Sequence, residues 1–394
     1  MKTCGSAASS TEVLPTEIKI GRVSPDVIVI GAGAIGTSIA YQLAKAGATV
    51  MIFERGRVGG AATGASAGMI QINPDRSTPP PLSSLERESA RLFPALATEL
   101  LDRTGMDIGY RAAPLLHVAL EEGEESRLRA HRAWQVDHGM TVAWLDGPAV
   151  LDLEPTLNPT IRAALYYPDD HQLLPLSFAQ ALTRAAVNLG AVLREGANID
   201  RLLTDGDRVV GVAIGGDAVH AGEVVIANGA WASSWSEALH TPIPVRPVRG
   251  QMVALRTTGT GLRNVVSSAD GYLLSKPDGS TYVGTTVEEA GYDSRPTASG
   301  IAGLLALVPR LVPRLADATF IDAWAGLRPG TSDGLPLLGR LPGWNGVTLA
   351  AGHFRDGILL APITGELLAD LLARRRPRLP LEAFDPGRFL VRAA

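Results

Sequence analysis

Gly31, Gly33 and Gly36 lie in the run Gly31-Ala32-Gly33-Ala34-Ile35-Gly36, directly after an apolar segment and at the start of a helical pattern. Glycines so spaced permit a tight turn, admit a pyrophosphate to the backbone and let helix pack on strand, while the helix N-terminus faces the phosphate charge. Glu54 follows 18 residues after Gly36, where a carboxylate can bind ribose hydroxyls. An ordinary glycine turn beside a solvated glutamate would not bring these features together, so they read as a dinucleotide site. The small-residue run Gly59 to Met69, which holds Thr63, Ser66, Ala67 and Gly68, clears room for a flat ring and offers it backbone N–H groups. That favours FAD over a nicotinamide cofactor, and over a flexible linker. A third segment, Gly352 to Gly357, sits between a strand pattern and the helix opened by Ile358. A helix N-terminus facing the pyrimidine edge of a flavin would stabilise the negative charge that builds up there on reduction; Asp356 reads equally well as a plain N-cap. The seven histidines are scattered, with neither HExxH nor GxSxG, so neither a metal site nor a nucleophilic triad is expected, and His353 reads as a packing or hydrogen-bonding residue.

These groups need elements to carry them. Val27 to Ile30 is a β-branched run suited to a strand buried on both faces, Ala34 to Ala46 has helical spacing and ends at Gly47, and Thr49 to Phe53 completes a β-α-β unit. A Pro-rich stretch from Asn73 to Leu82 precedes a long amphipathic helix, capped by Ser83 or Ser84 and running towards Thr104. Leu116 to Leu120 reads as a strand, Glu124 to Asp137 as an exposed helix, and Phe178 to Leu189 as a helix ending at Gly190. Strands follow at Ala191 to Leu193, Val209 to Ile214 and Val224 to Ile226, the last leading into Asn228-Gly229. Short strands and turns between Pro242 and Phe320, among them Tyr272 to Ser275 and Thr281 to Val283, predict an antiparallel sheet; Val347 to Ala350 and a helix from Ile358 to Arg374 close the chain.

The predicted fold is α/β (α+β overall): a Rossmann-like FAD-binding domain of residues 25–103, 165–241 and 323–394, and a discontinuous second domain of residues 104–164 and 242–322 built on an antiparallel sheet, after a disordered tail of residues 1–24. The 394 residues and 46% hydrophobic content suffice for such a core. A net charge of −4, with no long Lys/Arg block, argues against nucleic acid. The one cysteine, Cys4, rules out an intramolecular disulfide and a thiolate metal cluster and fits a reducing cytoplasm; no apolar run has the length of a membrane span.

Four blocks in order carry a resemblance: Gly31 to Gly36 with Glu54-Arg55; the loop to Met69; Ala323-Trp324-Ala325-Gly326-Leu327-Arg328-Pro329-Gly330-Thr331 with Asp333-Gly334; and Gly352 to Gly365. Together they resemble the D-amino-acid oxidase superfamily, and within it the glycine oxidases, over nearly the whole chain after the tail. The resemblance implies that Arg328 binds the substrate carboxylate, that Tyr272 donates its hydroxyl to it, and that Arg355 lies near substrate or flavin. A guanidinium suits the first role, since it meets a carboxylate through two parallel charge-assisted bonds; the alternatives are an ion pair within the chain for Arg328 and plain core for Tyr272. The resemblance also places Glu54 and Arg55 at the ribose, Ser66 to Met69 at the isoalloxazine ring and the Ile199 backbone at adenine. Ala227-Asn228-Gly229 stands where the superfamily has Ala-Thr-Gly, and its Asn is a departure. Sarcosine oxidases of this superfamily hold flavin through a cysteine in the C-terminal half; this chain has none there, so noncovalent FAD is expected.

The activity so implied is oxidative deamination of glycine and other small amines, including sarcosine and small D-amino acids. It has no side-chain acid or base, uses dioxygen, and yields glyoxylate, ammonia and hydrogen peroxide. In the family the imine also feeds thiamine thiazole synthesis, and tetramers are usual, so a homo-oligomer is implied. The competing readings are a related dehydrogenase that passes electrons to a quinone or carrier, and a non-catalytic FAD-binding module.

Overall fold

The computed structural model describes residues 24–72, 76–256 and 261–390. The expected tail, but for Ser24, and Asn73 to Asp75 of the Pro-rich stretch lie outside them. The β-branched runs form a six-stranded sheet in the order Leu337–Arg340, Val347–Ala351, Glu223–Ile226, Val27–Ile30, Val50–Phe53, Val192–Arg194. Every neighbouring pair is parallel except the first. Its side chains alternate between two cores, as strands covered on both faces must. Val27, Val29, Val50 and Ile52 pack under helices Ala34–Lys45, Pro175–Asn188 and Gly357–Leu372. Ile28, Ile30, Met51 and Phe53 face a small antiparallel sheet of residues 201–220.

Thr319–Gly330, Arg246–Arg256, Ser280–Gly284, Gly271–Ser275, Val265–Ser268, Leu115–Ala119, Ala163–Tyr167 and Ala143–Asp146 form, in that order, an eight-stranded sheet. Its pairs are antiparallel apart from Val265–Ser268 on Leu115–Ala119, a parallel joint where two distant chain segments meet. The expected domain boundaries at residues 165 and 323 cut through Ala163–Tyr167 and Thr319–Gly330. Both strands hydrogen-bond along their length within this sheet.

The single helix expected up to Thr104 is two, Pro80–Ala90 and Phe93–Thr104. Pro94 explains the break, because its ring collides with the carbonyl of Ala90 if the first helix continues. Neither Ser83 nor Ser84 caps; the helix begins on Pro80 after Pro79, and the Ser83 N–H donates to the Pro79 carbonyl. The C-terminal helix contains Pro362 and is opened beside it: Ser89, from the Pro80–Ala90 helix, donates its hydroxyl to the Leu359 carbonyl and accepts from the Ile363 N–H.

Candidate active site

A cavity of about 1200 Å³ is lined from both sheets. Gly31, Gly33, Ala34, Ile35, Glu54, Arg55, Thr63, Ser66, Ala67, Gly68, Met69, Ile199, Asn228, Gly229, Tyr272, Arg328, Arg355, Asp356, Gly357 and Ile358 all face it. Gly36 alone of the expected residues lies off its wall. A Cβ there would stand 2.0 Å from the Gly31 carbonyl oxygen, so that glycine serves the packing of helix on turn.

At the glycine turn the Ala34–Lys45 helix has no acidic residue in its first turn and no side-chain cap from Gly33. The Thr63 hydroxyl accepts from the Ala34 N–H at 3.0 Å, while the next first-turn N–H groups have no acceptor within the helix. That is a donor set for phosphate oxygens. Glu54 is fixed by the Ala32 N–H on one oxygen at 2.9 Å and the Gly56 N–H on the other at 2.8 Å, which leaves lone pairs for sugar hydroxyls. The Arg55 guanidinium lies 3.7 Å over the ring of Trp231, and Asn228 holds the Trp231 carbonyl at 3.3 Å. The Asn of the Ala-Asn-Gly turn thus secures the 3₁₀ helix Gly229–Trp235. The Asn228 Oδ1 and Trp235 Nε1 atoms are buried without a protein partner.

The small-residue loop is clamped from the other sheet. Lys276 donates to the Ala67 carbonyl, to Gln172 at 3.2 Å and to the Leu173 carbonyl at 3.4 Å, and burial lowers its pKa to about 8. Trp324 donates to the Ala65 carbonyl at 3.0 Å. Gly68 is left-handed at φ +75°, and a Cβ there would stand 2.3 Å from the Leu173 carbonyl oxygen.

At the far end Arg328 donates to the Thr285 hydroxyl at 2.7 Å and the Thr286 carbonyl at 3.2 Å. Among the described residues no Asp or Glu oxygen lies within 4.0 Å of it. Burial depresses its pKa, and the neighbouring cationic Arg355 adds to that. Its guanidinium fills the space above Gly250, where a Cβ would sit 2.2 Å from Nη2. Tyr272 is pushed up to about 12 by burial, and its hydroxyl has a weak contact, 3.4 Å, with the Met252 sulfur. Arg355 is exposed and lies over Phe354. Asp356 takes the N-cap position of the C-terminal helix but its side chain makes no capping bond. Two histidines are neutral: His117, against the Ser267 hydroxyl at 2.7 Å, is lowered to about 4, and His353, against Thr364 at 3.1 Å, to about 3, both chiefly by burial.

Open N–H groups at a helix start, a carboxylate held by two backbone donors, a clamped small-residue floor and an arginine with no carboxylate partner among the described residues are thus brought to one cavity. The family model described as FAD dependent oxidoreductase matches residues 26–371, most of the chain. This chain belongs to that family. It is 37% identical to the glycine oxidase of Geobacillus kaustophilus over 93% of its own length and 97% of that protein. It superposes on the crystal structure of that enzyme with a TM-score of 0.88, covering 92% and 98% of the two chains. The iminodiacetate oxidase of Chelativorans sp. BNC1 matches at TM-score 0.85 and 30% identity, over 91% and 98%. The cofactor of this FAD-dependent oxidoreductase is therefore FAD, and the resemblance read from the four blocks holds. The donor set at the glycine turn and the open first turn of the C-terminal helix fit its pyrophosphate and ring.

Sequence reasoning missed Gly250, Thr285, Trp231, Lys276 and Glu86, and quoted Trp324 within its third block without giving it a role. For Gly250 a signal exists, since glycine inside a strand-forming run marks close approach of another group. Among the described residues no three His, Cys, Asp or Glu side chains are grouped to hold a metal, and no helix is long and apolar enough to cross a membrane.

Proposed function

We propose that the protein oxidises the amine of glycine or a comparably small amino acid, with Arg328 and Tyr272 holding the substrate carboxylate. The observation that carries this reading is Arg328: a cation on the cavity wall, aimed by Thr285 and Thr286 and lacking any carboxylate partner among the described residues. Desolvation strengthens a guanidinium–carboxylate pair, and each hydrogen bond to a charged group contributes about 1.5–3 kcal/mol. The Tyr272 hydroxyl, protonated at any physiological pH, is a donor whose protein contact is weak enough to yield to a carboxylate. Arg355, at the same end, adds positive potential.

Bound FAD supplies a two-electron acceptor. The protein's part is to orient the α-carbon towards it, converting transfer into a positioned step. His117 and His353 are neutral but engaged with Ser267 and Thr364, so neither is assigned as base; the site selects the amine already deprotonated. Glycine would leave as an imine that water hydrolyses to glyoxylate and ammonia, with dioxygen taking the electrons to form hydrogen peroxide. The test is peroxide production by the FAD-loaded protein in air with glycine, sarcosine, D-alanine and D-proline. Peroxide with glycine and sarcosine supports the proposal. Bleaching of the flavin without peroxide would mean a dehydrogenase, and no bleaching with any of them would refute the substrate class.

A further inference from the structure

The bridge from Ser89 to Leu359 and Ile363 fixes the register between the Pro80–Ala90 and Gly357–Leu372 helices. Three residues before Ser89 stands Glu86, and three before Leu359 stands Asp356; both line the cavity, near enough for the Asp356 charge to act on Glu86. Glu86 is only 6% exposed, and neither carboxylate has a hydrogen bond or a cation within 4.0 Å among the described residues. A carboxylate so enclosed is normally paired.

We propose that Glu86 and Asp356 act as one acid–carboxylate unit, holding an exchangeable proton at the N-terminus of the C-terminal helix and taking up a second proton when the bound cofactor is reduced. The inference rests on the FAD reading above. A fixed negative charge at that helix end opposes the negative charge that arrives with two electrons, and protonating the unit removes the opposition. The balance is explicit: two electrons come from the reductant, one proton accompanies them to the ring, and the unit passes from charge −1 to zero by drawing one further proton from solvent.

The surroundings favour this. Burial, and then repulsion from Asp356, hold Glu86 above the usual carboxylate range; burial does the same for Asp356. Arg87 on the first helix and Arg355 beside the second pull the other way without ion-pairing to either. The other charges of the two helices are turned elsewhere: Glu88 to Arg91 and Arg378, Glu366 to Arg378, and Asp370 to Arg375. His353 is neutral and bonded to Thr364.

The experiment counts protons rather than turnover. FAD-loaded full-length protein, in weak buffer with an indicator dye, is photoreduced anaerobically, and proton uptake per two electrons is recorded between about pH 6 and about pH 8. The wild type should take up more than one proton per two electrons in this window, and Glu86→Gln and Asp356→Asn should each take up one. A wild-type count of one throughout overturns the proposal without recourse to any variant, and so do variants that match a higher wild-type count. Failure of the wild type to retain FAD would instead overturn the cofactor reading beneath it, which the flavin absorbance reports before reduction begins.

Discussion

Gly250→Ala tests how Arg328 is aimed without touching the charge. Position 250 lies opposite Gly326 in the pairing of Arg246–Arg256 with Thr319–Gly330, and its backbone is not left-handed, so alanine imposes no strain there. The added Cβ would lie 2.2, 2.3 and 2.4 Å from Arg328 Nη2, Nη1 and Cζ, against an ordinary contact of about 3.5–4.0 Å. The guanidinium must retreat by more than an ångström and give up its bond to Thr285. A misplacement of that size costs about 10²-fold, and losing both bonds to a carboxylate, at about 1.5–3 kcal/mol each, reaches about 10²–10⁴-fold. Because the clash is with the free end of a flexible side chain, FAD content and Tm should stay near wild type. The assay is kcat/KM for glycine in a cycle of Gly250→Ala, Arg328→Ala and the double variant. In the Arg328→Ala background those three close contacts are gone, so the two effects should be far from additive. A Gly250→Ala enzyme within about threefold of wild type, or additive losses, would refute the reasoning.

Glu54→Gln exchanges a carboxylate held by two backbone donors for an amide that can accept at only one of them, so FAD affinity should fall at least about tenfold while the fold persists, as read by flavin fluorescence on dilution. Tyr272→Phe removes a hydroxyl whose one hydrogen bond among the described residues is a weak one to sulfur; Tm should hold, and the glycine KM should rise about tenfold, with an unchanged KM excluding the assigned donor. Acidification should destabilise the protein through His117 and His353. Both folded pKa values lie below the unfolded value of 6.5, so their contribution is complete above pH 6.5 and is lost as pH falls towards 4, at up to about 1.4 kcal/mol per pH unit for each histidine. Chemical denaturation at several pH values gives the slope, which His117→Asn should lower.

The parts of this protein that a sequence reveals are those whose cause is local. Val27–Ile30, the glycine turn and the Ala34–Lys45 helix follow from side chains within a few residues of each other, and a β-branched run covered on both faces has few other ways to fold. Which sheet takes Ala163–Tyr167 and Thr319–Gly330 is not legible locally, because a strand's sheet is chosen by its partner and their partners lie in other segments of the chain. Lys276 left no trace in its own neighbourhood: its acceptor Ala67 is 209 residues away, and a lysine in a turn ordinarily faces solvent. Glu86 was hidden for a related reason, since a charged residue on an amphipathic helix reads as solvated until the Ser89 bridge turns it inward. Arg328 and Tyr272 were named through family resemblance; no spacing between them forecasts that they share one wall.

Interleaving within the six-stranded sheet sets the moment at which the protein can first exist. Val27 pairs with Val50 early, but its other neighbour is Glu223, and the strand containing Glu223 is completed only by Val347–Ala351. A chain emerging from the ribosome therefore carries its glycine turn for most of its synthesis beside an open, apolar sheet edge. The wall of the nucleotide pocket is finished only when Ala350 to Leu359 have arrived. Termination anywhere before them should yield aggregation or degradation rather than a weakened enzyme, so cofactor loading doubles as a check that translation reached the end of the fold.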